Sequence, residues 1–358
     1  MTAPTLAGGH AIGIDDEHAA PRAAQEVERE AASEIGLGTH IGATIDWAVR
    51  VGGRIPAPGD GRTAERWSAL ATAAQLDVGA ARVLEPHLDA LAILDEARAA
   101  GALATDALDD LAVTAESSWG VYAAEGPERL EATIDDDGCW HLTGTKSWCS
   151  LATDLSHALV TAWVSPDTRR LFAVSLRQPG VHTHRGPWVS RGLSRIVSAP
   201  VDFRGTHAIP VGDDGWYLRR PGFSWGGIGV AAVWWGGVAP LLDALTAAAS
   251  GPRADQLAES LLGEADAASW SVRAALADAA HRIDADPQRS AKLLAERVRA
   301  ITAAAVERIV TISGHALGPG PLTSDEEFAR RVSDLRIYLR QHHAERDLAR
   351  LGRAVAAS

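Results

Sequence analysis

The sequence predicts an α+β chain: an N-terminal helical domain over residues 1–108, a central small β-barrel or sandwich over 109–212, and a C-terminal four-helix bundle over 213–358. Three observations predict it. Ala-rich, charge-dotted stretches with apolar residues at helical intervals come first. Short runs of β-forming residues parted by turn clusters fill the middle. Four long helical segments with short connections fill the remainder.

Taken in order, residues 1–17 hold Gly, Pro and His without periodicity and read as a loose lead-in. Helices are expected over 26–35, 64–76 and 80–100, with Gly52-Gly53 and the PAPGDG of 56–61 as loop punctuation. Strands are expected over 111–114, 130–134, 140–143, 158–164, 171–176 and 197–203. Between two of them, Asp135-Asp136-Asp137-Gly138 predicts a hairpin, because Asp and Gly tolerate the turn's backbone angles. With no helix between these strands, a small barrel or sandwich is the economical arrangement. From Trp225 onward, helices are expected over 225–249, 254–283, 287–313 and 325–353. Asp286-Pro287 reads as a helix start, Ser324 with Glu327 as a capping box, and Gly314 and 318–321 as the close of the third segment.

Composition sets limits on partners. At 358 residues the chain can bury a full core without staples. Its formal charge of −12 argues against nucleic acid or an anionic membrane surface, both of which need basic patches. No run of about 18 apolar residues predicts a membrane span. Residues 1–17 carry no Lys or Arg and are no secretory signal, so a cytoplasmic location is expected. Cys139 and Cys149 lack metal-ligand spacing and read as packed thiols, and no metal is predicted. The 12 Trp against 4 Phe and 3 Tyr leave two readings open, a Trp-packed core or a pocket for a flat ring system.

Within this order of elements, GCWHLTGTKSWCS over 138–150 is similar to the G-x-W/Y-x-L-x-G-x-K-x-W-I-T/S of the acyl-CoA dehydrogenase superfamily. AVTAE over 112–116 resembles the stretch before that family's T-E-P-x-x-G-S, and VDF at 201–203 with IPVG at 209–212 resembles the exit of its β domain. The resemblance implies an FAD-dependent oxidoreductase, with FMN as the alternative flavin. It also implies a small-molecule substrate such as an acyl-CoA, oxidised at a CH–CH group, and a homo-oligomer. By the same resemblance, Thr114 would hydrogen-bond the flavin pyrimidine, Trp148 would pack beside the isoalloxazine, and Ser150 would reach toward N5. GPRADQL over 251–257 echoes the segment that holds the cofactor's far end, which makes Arg253 a pyrophosphate partner or else a solvated loop arginine.

The catalytic glutamate of the family is missing. RIYLRQHH over 336–343 puts Leu339 where the Glu of I-Y-E-G-T belongs, and residues 226–233 hold no carboxylate either. His342 and His343 resemble the histidine of the superfamily's flavin-dependent monooxygenases. They are the candidate catalytic residues, since imidazole exchanges protons near neutrality. A helix would let at most one of them face the flavin. Trp225, Trp234 and Trp235 share one segment with five glycines, a mixture that implies close approach by a neighbour and a pocket narrowed to flat or short substrates. A non-catalytic homologue that binds a ligand or partner is the remaining alternative. The whole redox assignment needs a slot for a tricyclic ring between residues 146–150 and the helices.

Overall fold

The computed structural model describes residues 10–357 apart from Glu17; the rest of the expected lead-in, residues 1–9, lies outside the described residues. Four helices come first: α1 (Arg22–Ala31), α2 (Ile41–Gly52), α3 (Thr63–Leu76) and α4 (Val78–Ala99). Residues 10–16 are not loose. Ile14 is fully buried, and its N–H and that of Ile12 donate to the Ser68 and Thr72 hydroxyls of α3. Helix α2 was not foreseen, because Gly42 and the Gly52-Gly53 pair obscure the Ile45, Trp47, Ala48, Val51 stripe that buries it. Asp77 caps α4 by accepting from the Ala80 N–H at 2.8 Å.

The middle of the chain is a small closed barrel. Its strands are β1 (Trp119–Tyr122), β2 (Leu130–Ile134), β3 (Trp140–Ser150), β4 (His157–Trp163), β5 (Arg169–Ser175), β6 (Val181–Thr183) and β7 (Ser198–Val211). Strands β4, β2, β3, β7 and β5 close a ring through the β4–β5 pairing, while β1 adds parallel to β4 and β6 antiparallel to β7. The predicted hairpin is present: Ile134 pairs with Trp140 across a turn with Gly138 at φ 82°. Residues 111–114 are not a strand. They follow a 3-10 turn over Asp109–Leu111 and pass through Ala112 at φ 53°, which no ladder accommodates.

The remaining helices are α5 (Trp216–Arg219), α6 (Pro221–Gly237), α7 (Ala239–Ala249), α8 (Gln256–Ala285), α9 (Lys292–Leu317), α10 (Gly320–Ser324), α11 (Glu326–Tyr338) and α12 (Glu345–Ala356). The first expected bundle segment is therefore split between α6 and α7 at Val238, and the last between α11 and α12. That last break runs through a 3-10 turn at Leu339–Gln341 and Ala344 at φ 46°, so His342 and His343 lie in a linker, not on a helix. Pro287 does not start α9: α8 runs on to Ala285, and Pro287 falls in the exposed turn before Lys292. Asp325, not Ser324, caps α11, accepting from the Phe328 N–H. The stretch Pro221–Ala249 is long and apolar enough to cross a membrane, but 83% of its apolar 18-residue part is buried, the mark of a core element. Helix α6 runs through the centre, packed on α3, α4, α8, α9 and α11.

Candidate functional site

Strand β3 leaves regular pairing at its end. Lys146 pairs with Val201, and register resumes only at Cys149 with Ala199, so Ser147 and Trp148 form a bulge. Lys146 is buried, its Nζ 2.9 Å from both Glu125 Oε1 and Thr161 Oγ1, which ties the strand to β4 and to the loop after β1. Burial pulls its ammonium below the ordinary lysine range, against the pull of Glu125. Trp148 sits at φ 62° with 58% of its surface exposed. A bulky residue in the left-handed region costs about 1–3 kcal/mol and persists only where surroundings enforce it. Here the bulge turns an indole out of the barrel wall beside Ser150, whose Oγ lies 2.7 Å from that of Ser198.

From Ser150 a continuous series of contacts crosses to the helices. Arg82 of α4 donates to Ser150 Oγ at 3.3 Å, and its guanidinium lies over the Tyr338 ring at 5.6 Å. Tyr338 Oη donates to Glu85 Oε2 at 3.3 Å, and Arg82 stands 3.6 Å from the same oxygen. Trp234 meets Tyr338 edge-on, with ring centroids 6.4 Å apart, and meets His342 in the same way. Arg299 of α9 stacks over Trp234 at 4.7 Å and donates to the carbonyls of Gly227 and Gln341. Burial raises the Glu85 carboxyl above its ordinary value, opposed by Arg82, and pushes Tyr338 well above the usual phenol range. Burial also lowers His342, against the pull of Asp347. Trp234 Nε1 is a buried donor without a hydrogen-bond partner in the described structure. Ordered water or a bound group supplies the acceptor for such a donor.

No protein-family model matches this chain, and no curated protein matches it by sequence. Solved structures do match. TdsC from Paenibacillus sp. A11-2, in a complex with FMN and indole, superposes at TM-score 0.71 with 18% identity, over 91% of this chain and 92% of its own. Butyryl-CoA dehydrogenase from Megasphaera elsdenii matches at TM-score 0.70 and 17% identity, over 92% and 89%. A nitrososynthase from Micromonospora carbonacea var. africana matches at 0.70 and 18%, over 91% and 94%. The chain has the acyl-CoA dehydrogenase fold. On this acyl-CoA dehydrogenase fold the bulge of β3 and the α4–α6–α11 wall face one another across the Ser150–Arg82 contact.

The fold distributes the sequence-predicted residues unevenly. Ser150 and His342 stand at the two ends of the series of contacts, and Trp148 is beside Ser150. Thr114 is exposed on the loop before β1, its N–H bonded to Ser117 Oγ and its hydroxyl accepting from Glu116. His343 is exposed and turned to Asp347, 3.5 Å away. Arg253 is exposed on the turn between α7 and α8, two helices that pack on each other and on α9. Sequence reasoning missed Arg82, Glu85 and Arg299. The signal was available for the first two, which lie three residues apart on a predicted helix and so share a face. Also missed was a cavity of about 310 Å³ outside the barrel, lined by Thr161, Arg169, Arg170, Tyr217, Arg219 and Phe223. Among the described residues no cluster of His, Cys, Asp or Glu is arranged to hold a metal ion.

Helix α11 is held in place by a buried carboxyl. Asp334 accepts from the Leu193 N–H and faces Arg330, which reaches across to Asp77 at 2.6 Å. Burial raises Asp334 to about 6. An unfolded aspartate ionises near 3.9, so between about 4 and 6 the folded chain keeps a proton that the unfolded chain has released. Stability contributed here falls as pH rises through that window. Asp334→Asn keeps an acceptor for Leu193 and does not titrate. Unfolding free energies from urea curves across the window are expected to fall in the parent by more than about 1 kcal/mol relative to the variant; parallel pH dependences would contradict the assignment.

Proposed function

We propose that the chain is a flavin-dependent oxidoreductase that seats FMN or FAD against the bulge of β3 and works as a reduced-flavin monooxygenase on a short or flat substrate. The cradle supports this reading. An indole is turned out of the barrel at a left-handed position, a Ser150–Arg82 polar edge lies beside it, and the facing wall holds the buried Trp234 N–H without an acceptor. A flat heteroaromatic ring with acceptors along one edge suits that set of groups. Trp148 would lie beside the ring, Ser150 and Arg82 at its acceptor edge, and Thr114 at the rim. A bound flavin supplies electron transfer and, when reduced, oxygen chemistry. The chain itself excludes water with Trp234, Tyr338 and Leu339, which are 0%, 1% and 3% exposed, so that charges in the site act in a low-dielectric surround.

Monooxygenation is favoured over dehydrogenation because α-proton removal needs a carboxylate at the reacting carbon. Leu339 is apolar and buried, and α6 has no ionisable residue. TdsC, a dibenzothiophene monooxygenase that binds FMN and indole, is consistent with this choice on the same fold. Dehydrogenation of an acyl thioester is the second reading, favoured by the half-buried carboxyl of Glu85, which accepts from Tyr338, the residue before Leu339.

Titrating the purified chain with FMN and with FAD tests the first claim. A perturbed flavin spectrum is expected, and Trp148→Ala is expected to weaken binding about tenfold, or about 1.4 kcal/mol. A chain that binds neither flavin sinks the reading. Oxygen uptake with supplied reduced flavin, against anaerobic bleaching by butyryl-CoA, then separates the two chemistries.

A further inference from the structure

A serine hydroxyl has one proton to give and two lone pairs that accept. Ser150, the last residue of β3, stands opposite Ser198, the first of β7. Ser198 Oγ donates to the Ile196 carbonyl at 3.1 Å, which takes up its only proton. The 2.7 Å contact between the two hydroxyls must then use the proton of Ser150. Arg82 Nη2 donates to Ser150 Oγ at 3.3 Å and occupies one of its lone pairs. Ser150 is left with one lone pair and no proton, so toward a bound group it can only accept. Both serines are half-buried rather than sealed in the core, and neighbouring Trp148 is 58% exposed.

This polarity is held from both sides. Tyr122 Oη donates to the Ser150 carbonyl at 3.0 Å, and the Leu151 N–H donates to the Val197 carbonyl at 2.8 Å. Before Ser198, the Ile196 N–H donates to the Leu193 carbonyl at 2.9 Å, and the Leu193 N–H is taken by Asp334 of α11. A side chain at Gly192 would overlap the Ser333 carbonyl, so the segment lies directly on that helix. The carbonyl that orients Ser198 is thus fixed to the helical wall as well as to the barrel.

Resting on the functional reading above, we propose that Ser198 sets Ser150 as the acceptor for the N–H that a flavin's central ring gains on reduction, so that the chain binds reduced flavin in preference to oxidised. In oxidised flavin that ring nitrogen, N5, is itself an acceptor and would meet a lone pair. In reduced flavin it carries a proton and completes the hydrogen bonding of Ser150. The ring's carbonyl oxygens accept in both redox states, and its pyrimidine N–H donates in both, so neither gives a preference. Ser198 is a positioning residue, since it acts through Ser150.

Titration of the full chain with oxidised flavin, and anaerobically with dithionite-reduced flavin, reads the preference directly, with FMN and with FAD. The reduced form is expected to bind about tenfold more tightly, the scale of one acceptor left facing another. That ratio raises the two-electron potential of bound flavin above that of free flavin by about 30 mV. In Ser198→Ala the proton of Ser150 is free to turn toward the ligand. Oxidised flavin should then bind more tightly, reduced flavin should change little, and the potential should return to the free value. Ser198→Thr keeps the hydroxyl and should keep the parent's ratio, while Ser150→Ala should weaken binding of the reduced form alone. A Ser198→Ala variant that loses both forms alike shows a structural role and overturns the proposal. So does a parent that binds both forms equally, because Ser150 then meets a group that reduction leaves unchanged. A parent that binds neither form of either flavin sinks the functional reading, and the proposal falls with it.

Discussion

Arg331→Met is expected to lower the free energy of unfolding by about 3–5 kcal/mol. The guanidinium of Arg331 is 3% exposed, on the inner face of α11. Its Nη1 donates to the Ala74 carbonyl at 2.8 Å and the Gly237 carbonyl at 3.3 Å, and its Nη2 to Gln75 at 2.8 Å and Leu76 at 3.0 Å. Those four carbonyls are the ends of α3 and α6, where a helix has no amides of its own left to offer. One rigid fork therefore terminates two helices at once and faces the negative ends of both dipoles. Methionine fills much of the same volume, so the loss reports the polar contacts: several buried carbonyls left bare at about 1–3 kcal/mol each, partly relieved by water. Lysine keeps the charge but not the fork and should fall between the two. Urea unfolding with an unchanged slope and a lowered midpoint is the expected record; a loss below about 1 kcal/mol would mean that water already serves those carbonyls.

Much of the architecture was legible because it is written in local periodicity. Residues 130–134 form β2 as expected, the β4, β5 and β7 runs were found to within a few residues at their starts, and residues 64–76 fill α3. What escaped depended on distant partners. Strand β1 is only Trp119–Tyr122 and exists because it lies parallel to β4, which no local pattern announces. The break after Tyr338 was hidden because RIYLRQHH carries good helix formers, yet the Gln341 carbonyl is taken by Arg299 of α9 and Ala344 turns left-handed. For the site, the Trp148–Ser150 segment was found through its motif. Glu85 was not, because its meaning comes from Tyr338, 253 positions away. His342 and His343 looked alike in sequence; Trp234 beside the first and Asp347 beside the second part them, one buried and one exposed.

The glycines of α6 yield the other large effect. In an exposed helix interior, glycine to alanine gains up to about 1 kcal/mol, because alanine restricts the unfolded chain. At Gly236 the sign is expected to reverse, with Gly236→Ala losing about 3 kcal/mol. A methyl group there would overlap the main chain of Ala71 on α3, carbonyl included, and main chain cannot step aside as a side chain can. The facing stretch of α3 is built from Ala71, Ala73 and Ala74, all fully buried, so the two backbones meet with almost nothing between them. Gly229 lies seven residues earlier, on the same face, and makes the comparison. A methyl there meets the end of Leu70 at 3.3 Å and Trp67 Nε1 at 3.5 Å, groups that can give, so Gly229→Ala should change stability by less than about 1 kcal/mol. The consequence reaches the site, because α6 cannot move off α3 at position 236 without carrying Trp234 away from Tyr338 and His342. Gly236→Ala should therefore also weaken flavin binding or turnover in the fraction that stays folded. Equal stability of the two alanine variants would show that the helices can separate freely at this crossing, and the rigid wall behind Tyr338 would then need another source.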